Sequence, residues 1–393
     1  MAIRRVRNII FLRDVLILSV TAFGGPQGHL AMVIDMMVKK RGYIDEQGLI
    51  ELYALCQILP GPTSTQTITS LGFRIGGPAL AYMTLLVWMF PAFCIMTSAA
   101  LAVDFMQEMN ISLEFLRFIQ PMAVGIVAYS AYRISSSVIS SRVGYFLMIL
   151  SAFISYFLKN PFIFPFLLLA GGAVTASRYK KQPIEEKSGF KIKWTSMFVW
   201  IGVMFGAFVL WQLTEWAPIR IFDNFYRNGS LIFGGGQVLV PLLFTEFVEF
   251  KKYLTSEEFI SGYAFVQAIP GPVFSFSSYV GALSLRELGI GGQILGAFLA
   301  TAGIFLPGTF FIFFAIRFWD SLKKYRVVKA SLEGINAVSS GMVMAATFLL
   351  FESIEASAVN YILMLSTACI IFFTKIPTPF IILGGLLVGI LLQ

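Results

Sequence analysis

Two copies of one tripeptide carry the chemistry-bearing pattern of this 393-residue chain: Pro60-Gly61-Pro62 and Pro270-Gly271-Pro272, each interrupting an apolar stretch. Proline lacks a backbone donor and disrupts the preceding helical turn, while glycine relaxes backbone limits. Each tripeptide therefore predicts the end of one half-helix and the start of another. A half-helix beginning after the break offers free N–H groups and the positive end of its dipole, a ready anion site. Donor side chains follow: Thr63, Ser64, Thr65, Gln66 and Thr67 after the first break, and Ser275, Ser277 and Ser278 after the second. Neutral hydroxyls and amides suit a tetrahedral oxyanion that must bind and leave again. The competing reading is a plain proline kink in a packing helix.

A second motif precedes each break. Phe23-Gly24-Gly25-Pro26-Gln27 recurs as Phe233-Gly234-Gly235-Gly236-Gln237. Its glycines either bring a backbone turn against a substrate or permit close helix packing, as small residues do in membranes. His29, just after the first copy, has an unperturbed pKa near neutrality and can carry a proton or donate to an anion. It can equally be a neutral packing residue, and the second half has Leu239 at its position. Gln57 and Gln267 sit at matched places before the breaks. Arg74 and Arg286 follow the post-break helices, either as attractors of an anion or as interfacial anchors. Glu51 and Asp35 are carboxylates whose membrane depth the sequence leaves open.

These residues need a scaffold, and the composition says which. Hydrophobic types make up 57% of the chain and charged types 13%, about half the charged share of a soluble domain. The apolar residues fall in long runs divided by short charged loops, as in a helical membrane protein. Short alternating segments of a membrane β-barrel are absent from the pattern. The net charge of +8 resides in loops between runs, so it reports topology rather than nucleic-acid binding. No cleavable signal peptide is expected, because no small-residue cleavage site follows the first apolar run. Cys56, Cys94 and Cys369 lie in apolar runs without metal or disulfide spacing, and a lone histidine does not make a zinc cluster.

The motifs repeat at a constant offset of 210 residues, which also relates Tyr43 to Tyr253 and Ala54 to Ala264. Further on, Gly76-Gly77 matches Gly291-Gly292 and Phe90-Pro91 matches Leu306-Pro307. The expected segments are 9–38, 49–73, 76–103, 113–133, 143–158 and 161–177 in the first half. Those of the second half are 220–250, 259–285, 291–316, 330–351, 359–373 and 377–392. A connecting span, 194–213, brings the total to about 13. The expected organisation is a first repeat over 1–177, a basic linker plus connecting helix over 178–218, and a second repeat over 219–393. Asp104, Glu108 and Glu114 occupy the loop that matches the basic loop Arg317–Lys329. Lysine and arginine are retained on the cytoplasmic side, so the halves should be inverted. The fold expected is an all-α polytopic membrane protein with two inverted-topology repeats whose broken helices either cross or re-enter. The N-terminus is expected in the cytoplasm and the C-terminus outside.

Together the motifs resemble the chromate ion transporter (CHR) family in its long-chain, two-domain form. The resemblance rests on Phe23-Gly24-Gly25-Pro26 with His29, Arg41-Gly42-Tyr43, and Leu59-Pro60-Gly61-Pro62. In the second half it rests on Phe233-Gly234-Gly235-Gly236 with Pro241, Gln267-Ala268-Ile269-Pro270-Gly271-Pro272, and Ile304-Phe305-Leu306-Pro307. Tyr43 and Tyr253 replace the family's usual Trp, and Phe90-Pro91-Ala92 its usual Leu-Pro-Ser. The resemblance implies chromate efflux across the inner (cytoplasmic) membrane, driven by a proton gradient, with sulfate the natural competitor.

The residues expected to bind substrate are Gly24, Gly25, Pro26, Gln27, His29, Gln57, Pro60, Gly61, Pro62, Thr63, Ser64 and Thr65. In the second half they are Gly234, Gly235, Gly236, Gln237, Gln267, Pro270, Gly271, Pro272 and Ser275. No cofactor, metal or catalytic residue is expected. The partners are an inorganic oxyanion, protons and the lipid bilayer, with a homodimer allowed and nucleic acid excluded. A passive anion channel is the runner-up. An intramembrane enzyme would need a nucleophile–base pair or metal ligands that the pattern does not contain, and no Walker A motif suggests ATP-driven pumping.

Overall fold

A computed structural model describes residues 2–23, 25–111, 114–139, 141–177, 194–233, 236–316, 326–374 and 376–391. Gly24, Gly234, Gly235, the basic linker 178–193 and the 317–325 loop lie outside the described residues. Among those described there is no strand, only helices. Four are long and apolar enough to cross a bilayer: Pro78–Glu108, Thr195–Thr214, Arg286–Ala315 and Ala330–Glu352. Shorter apolar helices accompany them. Leu213 (77%), Phe373 (79%) and Leu391 (81%) are among many large apolar side chains left exposed, a surface that only lipid or further protein would cover. The chain is an all-α polytopic membrane protein.

The helices of the first half are α1 (Ala2–Thr21), α2 (Gly25–Val33), α3 (Glu46–Ile58), α4 (Thr63–Gly76), α5 (Pro78–Glu108), α6 (Ile119–Val138), α7 (Arg142–Leu158) and α8 (Ile163–Ala176). The connecting helix α9 (Thr195–Thr214) follows. Then come α10 (Ala217–Leu231), α11 (Gly236–Leu243), α12 (Ser256–Ala268), α13 (Phe276–Ser284), α14 (Gly289–Ala315), α15 (Arg326–Glu352), α16 (Ala358–Phe373) and α17 (Thr378–Leu391). The same order of elements thus occurs twice. Helix α6 starts later than the expected 113, behind a short 3-10 turn at Glu114–Leu116.

One repeated detail had no sequence signature. The helix after each FGG break continues as a π-helix, at Ile34–Lys40 and at Phe244–Phe250. Arg41 N donates to Met36 O (3.1 Å) and Tyr43 N to Met37 O (2.8 Å); Lys251 N donates to Glu246 O (2.9 Å) and Tyr253 N to Phe247 O (2.8 Å). Such widened turns insert a residue into a helix and often mark functional sites.

The chain forms two compact units. The first comprises Met1–Ile111, Lys193–Gly236 and Phe265–Arg317. Its long helices are α5 and α14, each carrying an interior proline, Pro91 and Pro307. Helices α1, α4 and α13 pack on α5, and α4, α9, α10 and α13 pack on α14. A buried cluster including Phe11, Val15, Leu18, Leu71 and Trp88 fills the space around α1 and α4.

The second unit comprises Ser112–Ile192, Gln237–Ala264 and Phe318–Gln393. Within it, α15 packs on α6, α7 and α8, and α6 also packs on α16 and α17. Buried Glu246 accepts from Lys251 at 2.7 Å, with Lys251 only 7% exposed. Charges at such depth are retained only when paired.

Candidate functional site

The first break is built by its own residues. Helix α3 stops at Ile58, Leu59 is extended, and α4 begins at Thr63 behind Pro62. Gly61 has φ +120°, a conformation that L side chains rarely adopt. Its N–H donates to Ile232 O at 2.7 Å. Gln66, one turn into α4, reaches back and donates to Pro60 O (2.8 Å) and Gly308 O (3.0 Å). The first N–H groups of α4 have no acceptor within the helix and face the break.

The second break repeats this plan. Gly271 has φ +104°, and its N–H donates to Ala22 O at 2.9 Å. Ala22 and Ile232 each directly precede an FGG motif, at the same offset of 210. Each Pro-Gly-Pro glycine is therefore tied to the other repeat's FGG break, in a reciprocal exchange of two backbone hydrogen bonds. The next neighbours follow the same rule. A Cβ on Gly61 would lie 3.0 Å from Gly308 Cα, and one on Gly271 would lie 3.0 Å from Ala92 Cβ. Ala92 and Gly308 each follow the interior proline of a long helix.

The two halves differ in what lies beyond the break. After Pro272 the chain makes a 3-10 turn, Val273–Ser275, before α13. Ser275 spends its hydroxyl on Pro272 O, and Ser278 on Ser275 O at 2.7 Å. Ser277 Oγ is buried and has no hydrogen-bond partner among the described residues. In the first half, buried Thr65 accepts from Trp88 Nε1 at 3.1 Å, and Thr67 donates to Thr63 O at 2.8 Å.

His29 belongs to this cluster. It is 2% exposed, shares a 3.1 Å hydrogen bond with Ser64 Oγ through Nδ1, and meets the Trp88 ring edge-on at 5.5 Å. Its Nε2 is buried without a partner among the described residues, as is Gln66 Oε1. Buried polar atoms normally find partners, so His29 Nε2 and Gln66 Oε1 make this a polar spot within an apolar interior. The fold thus brings His29, Ser64, Thr65 and Gln66 to the start of α4.

Other expected residues lie elsewhere. Gly25 opens α2 and Gly236 opens α11, and Pro26, Gln27 and Gln237 lie in the first turns of those helices. Gln237 belongs to the second unit. Gln57 is exposed on α3 and Gln267 is half-buried near the end of α12. Asp35 is exposed and pairs with Lys40 at 2.7 Å. Arg286 stands 3.9 Å from Asp104, and Asp104 also accepts from Gln293. Arg74 is exposed at the far end of α4. Trp88 was not singled out by spacing, since nothing in a helix-interior tryptophan marks it as a neighbour of the break.

A family description fits this arrangement of repeated breaks. The family model described as "Chromate transporter" matches residues 10–176 and again residues 219–390. The chain belongs to the chromate transporter family. It is 23% identical over 381 residues to an uncharacterized transporter of Methanocaldococcus jannaschii, covering 95% of this chain and 92% of the relative. It is 24% identical over 378 residues to a chromate transport protein of Cupriavidus metallidurans, covering 95% and 90%. A chromate transport protein of Pseudomonas aeruginosa is 25% identical over 337 residues, covering 83% and 77%. No solved structure matches the chain. Both matched regions of this chromate transporter family member contain one FGG break and one Pro-Gly-Pro break.

Proposed function

We propose that this protein is a secondary active transporter that exports chromate from the cytoplasm in exchange for protons. The tetrahedral anion is held at the N-terminal ends of the half-helices that follow Pro62 and Pro272. The observation that carries this reading is the reciprocal pair of bonds, Gly61 N–H to Ile232 O and Gly271 N–H to Ala22 O. They pair each Pro-Gly-Pro break with the FGG break of the other repeat, and the half-helix ends there supply N–H donors without a fixed positive side chain. That favours binding which is selective for anions yet reversible. The names of the Cupriavidus and Pseudomonas relatives support chromate as the anion.

Inverted halves and a cytoplasmic N-terminus complete the proposal. Lys251 would fall on the outer face in that arrangement, against the general rule for basic residues. Its bond to buried Glu246 removes it from the free loop charge.

The test is anion flux in proteoliposomes, chromate against sulfate, with and without a pH gradient. Chromate accumulation against its own gradient when a pH gradient is imposed is expected. Downhill flux alone would make the protein a channel, and no flux or competition with either anion would end the oxyanion reading.

His29 is the proposed protonatable group beside the anion, because its ring is buried and its Nδ1 meets Ser64 at the start of α4. His29→Gln keeps a polar group of similar reach but cannot carry a proton. Its flux is expected to lose most of its response to an imposed pH gradient. A profile superimposable on that of the unsubstituted protein would exclude His29 from coupling.

A further inference from the structure

A cavity of about 840 Å³ opens between α1, the loop after the first π-helix, and the C-terminal end of α4. Three arginines from these separate elements line it: Arg7, Arg41 and Arg74. Tyr43 also lines it, with exposed aliphatic side chains that include Val6 and Ile10. Buried Asp14 is the acid at its edge, and both of its oxygens are engaged, by Arg41 Nη2 at 2.8 Å and by the Tyr43 hydroxyl at 3.0 Å. Arg7 donates one N–H to Ile75 O at 3.1 Å. Each guanidinium carries five N–H donors, so these bonds engage only a small part of the set.

We propose that this cavity is a binding site for a phosphate-type oxyanion, carried on an anionic phospholipid or free in solution, and distinct from the site at the helix breaks. Arginine's planar fork matches tetrahedral anions in a bidentate manner that lysine cannot reproduce. Three cations facing one paired carboxylate give the cavity a positive excess. Its position is remote from the break, since Arg74 lies about 17 Å along α4 from Thr63 at 1.5 Å per residue. The volume falls in the range of cavities that hold whole organic ligands, about 300–1,000 Å³. A headgroup phosphate on the arginines with its glycerol and upper acyl carbons on Val6 and Ile10 would use both halves of the lining. A basic cluster beside a membrane surface also attracts anionic lipid electrostatically. Helix-end anchoring accounts for Arg74 alone, not for the convergence of three arginines from three elements on one cavity.

The experiment uses the full chain, purified in a neutral detergent, and follows its thermal unfolding midpoint during titration. The three probes are phosphatidylglycerol, phosphatidylcholine and inorganic phosphate, all at matched ionic strength. Phosphatidylglycerol is expected to raise the midpoint saturably and phosphatidylcholine is not. A shift with inorganic phosphate as well assigns the site to the free anion, and a shift with phosphatidylglycerol alone assigns it to lipid. Arg74→Gln and Arg7→Gln are each expected to weaken the apparent affinity about tenfold, the loss of one charge-assisted contact. Arg74→Lys should keep only part of the affinity. Two variants guard against one failing to fold, and Arg41 is left intact because it holds Asp14. Equal responses to the two lipids with none to phosphate would overturn the proposal. So would unchanged affinity in both glutamine variants. Binding rather than transport is read, so the result is independent of the chromate assignment.

Discussion

Replacing Gly61 or Gly271 with alanine is expected to lower oxyanion flux at least tenfold, with the protein still folded in detergent. Two effects combine at each position. The backbone sits at φ +120° or +104°, where a non-glycine residue costs about 1–3 kcal/mol. The new methyl group would also lie 3.0 Å from Gly308 Cα or Ala92 Cβ, so the break must move away from the long helix it touches. Either shift lengthens the bond to Ile232 O or Ala22 O and misplaces the half-helix end, and displacements of about 1 Å at a binding centre can cost a hundredfold in rate. Gly77→Ala supplies the control. Gly77 also has a positive φ, +81°, but a Cβ there meets nothing within 4 Å. It imposes strain without displacement, and flux within about twofold of the unsubstituted protein is expected, consistent with a modest strain cost away from the break. Proteoliposome flux at equal reconstituted protein decides the matter: if Gly61→Ala transports as well as Gly77→Ala, the geometry of the break does not govern transport.

The second large effect concerns stability. Asp14 is fully buried on α1 and holds both Arg41 and Tyr43. Burial and the Asp14 carboxylate push the Tyr43 hydroxyl up to about 12, so it remains a donor throughout the neutral range. Asp14→Ala removes the acceptor for both groups and leaves Arg41 beside an apolar gap. Breaking a buried ion pair from one side typically costs 3–5 kcal/mol. Arg41 is 36% exposed and can recover some hydration, so about 2–3 kcal/mol is expected. Asp14→Asn keeps an acceptor and loses only the charge, with a cost nearer 1–2 kcal/mol. Thermal unfolding midpoints in detergent should order the proteins as unsubstituted, Asn, Ala. A midpoint for Asp14→Ala equal to that of the unsubstituted chain would show that the pair contributes nothing to the fold.

The breaks themselves were legible because proline and glycine act on their own backbone. Pro60, Gly61 and Pro62 end α3 and start α4 regardless of what surrounds them. The repeat was legible because its motifs share one offset. The reciprocity of Gly61 with Ile232 and Gly271 with Ala22 was not, because a backbone bond leaves no side-chain signature. The π-turns were hidden for the same reason. Distance in sequence concealed the contacts of His29 with Ser64 and Trp88, and of Asp14 with Arg41. Ser275 shows the opposite error of emphasis. Its type promised a donor for the anion, but a 3-10 turn places its hydroxyl on Pro272 O. Hydroxyls near a helix start compete for local carbonyls, and sequence does not reveal which acceptor wins.

The exchange of bonds between the breaks also sets a clock for biogenesis. Ile232 is synthesised long after Gly61, about 10–30 s later at ~5–20 residues per second. During that interval the first half is already emerging while the acceptor for its central N–H does not yet exist. A backbone donor cannot face hydrocarbon unpaired, so water or a partner protein must attend the first break until the second half arrives. The bond that completes the first break therefore forms only after the second half has been made.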